Sequence, residues 1–141
     1  MNLLELRKQD IDRLTAEFIP FWEKAIDDEY GGVFTCFSND GTELVSEDKY
    51  TWSQGRFLWV MEALLSFRDQ GLIDLSQKWE ENFKKTYEFI TEHTMMENGH
   101  IVFAVTRDGK KIDGKLDTSI FADCFFVIGL SAYAKYSEDA N

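Results

Sequence analysis

Apolar positions along the chain change period several times, and each change marks an element. Over 75–95, Trp79, Phe83, Tyr87 and Ile90 recur three or four residues apart with Lys, Glu and Gln between them. That spacing predicts an amphipathic helix with one wet side. Ile101, Phe103 and Val105 then alternate, and Arg107-Asp108-Gly109-Lys110 supplies a turn in which glycine takes positive φ, so 98–112 reads as a β-hairpin. The stretch 120–136 is apolar nearly all round, the pattern of a helix enclosed by others, with Thr118 or Ser119 placed to cap it. The first half runs in the same order: a helix over 3–27, a hairpin around Asn39-Asp40-Gly41, and a helix over 52–67. Pro20 has no amide proton, so the first helix is expected to kink or restart there.

The two halves are copies. Residues 31–67 recur without a gap as 99–135, sixty-eight positions later, with Asp40-Gly41 on Asp108-Gly109 and Phe57-Leu58-Trp59-Val60 on Phe125-Phe126-Val127-Ile128. A fixed period means one supersecondary unit repeated so that neighbours bury each other's apolar faces. The units run over about 1–68 and 69–136 and make one domain, 1–141. Each pairs a half-exposed helix with a more buried one, the construction of helical solenoids and α/α toroids. Two pairs make an arc whose last inner helix has no neighbour on one flank. Exposed apolar area of that size invites association. The chain is therefore expected to be the beginning of a longer protein or to pair through that flank, as a homodimer or otherwise.

Composition narrows the setting. The chain is 44% hydrophobic and 15% aromatic with one Pro, enough to fill a core. Fifteen basic against 26 acidic residues leave a net charge of −11, which argues against nucleic acid and anionic membrane surfaces as partners. No apolar run has the length of a signal-peptide core or a bilayer span, so a cytoplasmic protein is expected. Cys36 and Cys124 lack a second Cys or a His at ligand spacing; reduced thiols and no metal site are the expectation. Gly31-Gly32 and Asp40-Gly41 read as turn chemistry rather than phosphate loops, and Asp27-Asp28-Glu29 as a solvated helix end.

Where the copies differ, function is expected. Arg56 stands where the second copy has Cys124, among Trp52, Phe57 and Trp59. A guanidinium there needs a polar partner, because an unpaired buried charge is costly. One reading is structural, an ion pair with a carboxylate such as Asp123 or a stack on Trp52. The other is an Arg lining a cavity among the inner helices, aimed at a substrate oxygen.

Four stretches carry a resemblance: Glu29-Tyr30-Gly31-Gly32-Val33-Phe34-Thr35-Cys36, Lys49-Tyr50-Thr51-Trp52-Ser53-Gln54-Gly55-Arg56, Thr106-Arg107-Asp108-Gly109, and Ser119-Ile120-Phe121-Ala122-Asp123-Cys124-Phe125. In order and spacing they resemble the N-terminal part of the N-acylglucosamine 2-epimerase family, over nearly the whole chain. They are more similar to the acylglucosamine epimerases than to the mannose isomerase or cellobiose epimerase branches, where a Tyr tends to replace Phe121. The resemblance implies an all-α fold, an incomplete (α/α)6 toroid of helical hairpins with short β-hairpins between paired helices. It also implies a small-molecule sugar substrate, epimerised by removing and returning the proton beside an open-chain carbonyl. Such chemistry needs no cofactor and no metal. An enolate oxygen suits a fixed cation such as Arg56, and histidines suit proton transfer on the two faces of C2.

Trp52, Gln54, Tyr50 and Phe121 are the residues expected to wall the sugar site around Arg56. The family's histidines lie on later inner helices, and this chain has only His93 and His100. His93 falls where a helix C-terminus favours a cation, and His100 has no carboxylate beside it in sequence. Neither takes the acid/base role, and the chain alone is expected to be inactive. Two alternatives stand beside this reading. One is a six-hairpin glycoside hydrolase, for which Asp48 and Asp117 would be the carboxylates. The other is a noncatalytic helical module that binds through its open flank.

Overall fold

The computed structural model describes residues 2–116 and 119–139. Helix α1, Leu3–Arg13, opens on a capping box in which Asn2 and Glu5 bond each other's backbone N–H. It runs through one π-helical turn, Leu14–Phe18, into α2, Ile19–Ala25. The wide turn lies just before Pro20: Ile19 N–H reaches back to Leu14 O, and the proline, having no proton to donate, falls in the first turn of α2. The expected restart thus takes the form of a π bulge inside a continuous helical run.

Strands β1, Cys36–Phe37, and β2, Leu44–Ser46, pair antiparallel around Asp40-Gly41, as the turn signal predicts. The second hairpin is different. Strand β3, Lys49–Tyr50, pairs antiparallel with β4, Ala104–Val105, of the other repeat, in register Lys49↔Val105 and Tyr50↔Ala104. The alternation at 101–105 is therefore real, but its strand partner lies in the first repeat, and a Val105↔Lys111 bridge with a Thr106 N–H to Lys110 O bond closes the turn on itself. This strand pair clasps the two repeats beside the start of α3, Thr51–Asp69, whose first N–H, from Thr51, bonds Phe103 O.

The remaining helices are α4, Gln77–His93, and α5, Ile120–Asp139. Ser119, the expected cap of α5, accepts from Phe121 N–H, while Thr118 lies outside the described residues. Helices α3 and α5 form an inner pair, with α2 and α4 packed outside. Leu58, Met61 and Leu65 of α3 are sealed with Trp79 and Ile90 of α4. Phe83 and Tyr87 of α4 meet Tyr133 of α5, the two tyrosines stacked at 4.0 Å. The inner helices cross at glycines: a Cβ on Gly55 would stand 2.2 Å from Phe125 O, and one on Gly129 would stand 2.6 Å from Gly55 O. Only hydrogen at both positions lets the backbones approach this closely.

The repeat survives in the hydrogen bonding, with one residue of slack. Phe34 N–H bonds Ala25 O, and its counterpart Val102 N–H bonds Thr94 O. The loop leaving α4 is thus one residue shorter than the loop leaving α2, and the sixty-eight-residue register holds from Gly31 onward rather than through the outer helices.

Candidate functional site

The first turns of α3 and α5 hold the site. Arg56 and Trp52 are four apart on α3 and so share a face. The Arg56 guanidinium carbon lies 4.5 Å from the Trp52 ring centre and 4.7 Å from that of Phe125, whose centres are 6.2 Å apart, so the cation rests against two neighbouring aromatic rings from two helices. Arg56 is otherwise exposed. Among the described residues no carboxylate bonds it. It borders two cavities: one of about 490 Å³ lined by Trp52, Phe103, Ser119, Phe121 and Phe125, and one of about 290 Å³ lined by Trp22, Thr35, Ser53, Phe57 and Val60. Of the sequence-predicted residues, Arg56, Trp52 and Phe121 come together at the larger cavity.

Gln54 does not join them. It is fully buried, its Oε1 accepting Val33 N–H at 2.8 Å and its Nε2 donating to Val33 O at 2.8 Å. That is a two-ended clamp on the loop after α2. The clamp needs glycine below it, since a Cβ on Gly32, at φ +82°, would stand 2.6 Å from Gln54 Oε1. The expectation that Gln54 walls the cavity is thereby corrected. Tyr50 lies beside the cavity on the strand clasp, its ring edge-on to Phe103 at 5.4 Å and its hydroxyl 3.3 Å from Lys115 Nζ.

Asp123 is not the partner of Arg56. Its carboxylate accepts Ile101 N–H at 2.7 Å and faces His100 Nδ1 at 3.1 Å. Burial raises this carboxyl, and the His100 and Ile101 bonds outweigh that and draw it below its ordinary value. Asp123 stands two residues from both Phe121 and Phe125, on the far side of α5 from the cavity. His93 packs on Phe89 and against Gly109, away from Arg56. Asp48 pairs with Lys115 at 3.4 Å, and Asp117 lies outside the described residues.

Two groups of residues escape the sequence reading. Phe103, Ser119 and Phe125 complete the cavity; Phe125 is four positions after Phe121 and so predictably shares its face. The second group is a buried charge cluster. Asp27, read in sequence as part of a solvated helix end, is 1% exposed, and Lys49 is 0% exposed. Lys49 Nζ donates to Asp27 Oδ2 at 2.9 Å, to Gly31 O at 2.7 Å and to Arg107 O at 2.9 Å. Arg107 bonds both Asp27 oxygens, at 3.0 and 3.2 Å. Burial pushes the Asp27 carboxyl up, but Arg107 and Lys49 more than offset it and hold it at about 2. Burial conversely lowers the Lys49 ammonium. The cluster ties the end of α2 to both strands of the clasp and so fixes the entry to α3. Among the described residues no group of three or more His, Cys, Asp or Glu could hold a metal ion, and no helix is long and apolar enough to cross a membrane.

No family model matches the sequence. Among curated proteins, N-acylglucosamine 2-epimerase of Rattus norvegicus is 30% identical over 145 residues, covering 98% of this chain and 32% of the relative. Cellobiose 2-epimerase of Ruminococcus albus is 32% identical over 142 residues, covering 99% and 33%. Among solved structures, a sugar epimerase from a ruminal bacterium superposes with a TM-score of 0.73 at 28% identity, over 94% of this chain and 32% of that one. In helical architecture and in sequence the chain is thus similar to sugar 2-epimerases over the stretch they share. The family it resembles is that of N-acylglucosamine 2-epimerase, in its N-terminal portion, and the chain spans about a third of its relatives' length.

Proposed function

We propose that the chain forms the first two helical hairpins of an (α/α)6 toroid that interconverts N-acyl-D-glucosamine and N-acyl-D-mannosamine by proton abstraction at C2. The observation that carries this reading is the Arg56 guanidinium, resting against the rings of Trp52 and Phe125 with no carboxylate bonded to it among the described residues. The two rings fix the cation while leaving its N–H groups for a ligand oxygen. When the proton beside an open-chain carbonyl leaves, negative charge gathers on the carbonyl oxygen, and a preorganised cation in an aromatic-walled cavity stabilises that state more than the ground state. Phe121, Phe103 and Phe125 offer an apolar wall to the sugar's carbon faces and acyl methyl. His100 is held by Asp123 on the far side of α5 and His93 packs on Gly109, so the reading gives Arg56 the oxyanion role and assigns proton transfer to neither histidine of this chain.

Titration of chain 1–141 with N-acetylmannosamine, followed by ligand-detected NMR, tests the reading. Arg56→Ala is expected to abolish the binding signal, and Arg56→Lys to weaken it, since an ammonium keeps the charge but loses the fork and much of the stacking. Equal binding by Arg56→Ala and the parent chain would remove Arg56 from the site.

A further inference from the structure

The larger cavity beside Arg56 is built where the two repeats meet. Trp52 and Arg56 come from α3, Ser119, Phe121 and Phe125 from the entry and first turns of α5, and Phe103 from the residue before β4. Three phenyl rings and one indole make its walls, and the backbone holds one of those rings fast. Phe103 N–H donates to Leu116 O at 2.7 Å, and Phe103 O accepts Thr51 N–H at 3.0 Å. The polar side-chain groups are few and of one kind. The Arg56 guanidinium and the Trp52 indole N–H only donate. Ser119 Oγ accepts Phe121 N–H at 3.3 Å, and its hydroxyl proton has no acceptor among the described residues. Among the described residues no carboxylate, amide or imidazole side chain lines the cavity.

A lining of rings and donors selects its occupant. Every sugar hydroxyl that enters must give its proton to an acceptor, and these side chains supply almost none, so a polyol tail matches the cavity poorly. An acyl group matches it well: the carbonyl oxygen only accepts, and the alkyl end gains by leaving water for an apolar wall. Position agrees with chemistry. In an open-chain 2-acylamino sugar the acyl nitrogen is on the carbon next to the carbonyl, so an oxygen held by Arg56 brings the acyl group to the cavity that Arg56 borders. We propose that this cavity is the acyl pocket of the sugar site, in which Ser119 donates to the acyl carbonyl oxygen and Phe103 is the wall that sets the acyl length accepted. The inference rests on the sugar reading of Arg56. At about 490 Å³ the cavity lies in the range of about 300–1,000 Å³ that takes whole small molecules, so an acetyl group leaves room for further carbons.

Ligand-detected NMR on chain 1–141 with mannose and with the N-acetyl, N-propanoyl and N-butanoyl derivatives of mannosamine tests the assignment. Affinity is expected to rise about fourfold for each added methylene, with mannose the weakest of the four. Ser119→Ala is expected to weaken all three acyl compounds by about two- to tenfold and to leave mannose unchanged, which a loss of helix capping alone does not do. Phe103→Trp narrows the cavity and is expected to invert the series, making the N-butanoyl compound the weakest of the acyl three. Circular dichroism checks each variant, and Phe103→Leu, expected to flatten the series, replaces Phe103→Trp if the latter loses structure. Equal affinity for mannose and N-acetylmannosamine overturns the proposal, as does a parent chain that binds longer acyl groups more weakly, or a Ser119→Ala chain that loses mannose and acyl compounds alike. Where Arg56→Ala still abolishes binding in those cases, the sugar reading stands and only the acyl pocket falls. Binding of none of the four sugars overturns both.

Discussion

At the scale of single residues, position along α3 decides role. Gln54 and Arg56 are two residues apart, which is about 200° around a helix, so when one faces a cavity the other faces the core. That inference was available from spacing alone, whereas the identity of Gln54's partner was not, because Val33 lies twenty-one residues earlier in a loop. Gln54→Leu leaves Val33 N–H and C=O without partners, at a cost of about 1–3 kcal/mol for each buried group. It is expected to lower the urea midpoint and leave sugar binding by the folded fraction unchanged; a selective loss of binding would return Gln54 to the wall. The buried cluster makes a stronger claim. Lys49→Met takes one of two cations from the buried Asp27, leaving it to Arg107 alone, and removes the donor to the Gly31 and Arg107 carbonyls; removing one partner of a buried pair costs about 3–5 kcal/mol. The double change Asp27→Asn with Lys49→Met is expected to recover part of that loss in a double-mutant cycle. Asp27 titrates at about 2 when folded. Its unfolded value is about 3.9, so its contribution is fully present above about pH 4 and is lost as pH falls through about 2. Stability measured by urea unfolding across that window is expected to fall less steeply in Asp27→Asn than in the parent chain.

At the scale of elements, periodicity located every long helix within a few residues, because apolar spacing is a property of one segment. What it could not show was pairing between segments. The alternation at 101–105 announces a strand, but nothing local says that its partner is Lys49–Tyr50 rather than the far side of its own turn. The π turn at Leu14–Phe18 is of the same kind: Pro20 signals a disturbance, and the packing of Trp22 on Phe57 at 5.4 Å settles how the helix absorbs it. The α3–α5 crossing was hidden for another reason, since Gly55 and Gly129 are not equivalent in the repeat and each looks like a weak point in its helix. Gly55→Ala and Gly129→Ala should raise helix propensity and still destabilise the chain, by about 1–3 kcal/mol each, as overpacking outweighs propensity. Chemical denaturation monitored by circular dichroism decides the sign; a stabilised Gly55→Ala chain would mean that the helices can part without cost.

At the scale of the molecule, the repeat announced a mostly helical fold, while the cavity's walls required both inner helices in place. Phe103 and Phe125 belong to the second repeat and Trp52 to the first, so one copy of the unit alone does not build the aromatic surround of the guanidinium. Chain 1–141 by itself is expected to show no epimerisation of N-acetylmannosamine in a coupled assay, since the reading leaves it without a proton-transfer pair; measurable turnover would give His93 or His100 a role that their packing does not suggest.

The clasp between β3 and β4 also orders events in time. Thr51 N–H finds its acceptor on Phe103, more than fifty residues downstream, and Lys49 needs the carbonyl of Arg107. During synthesis from the N-terminus, the segment that presents Arg56 is made early and must wait, partly unsatisfied, until the second unit has emerged to complete it.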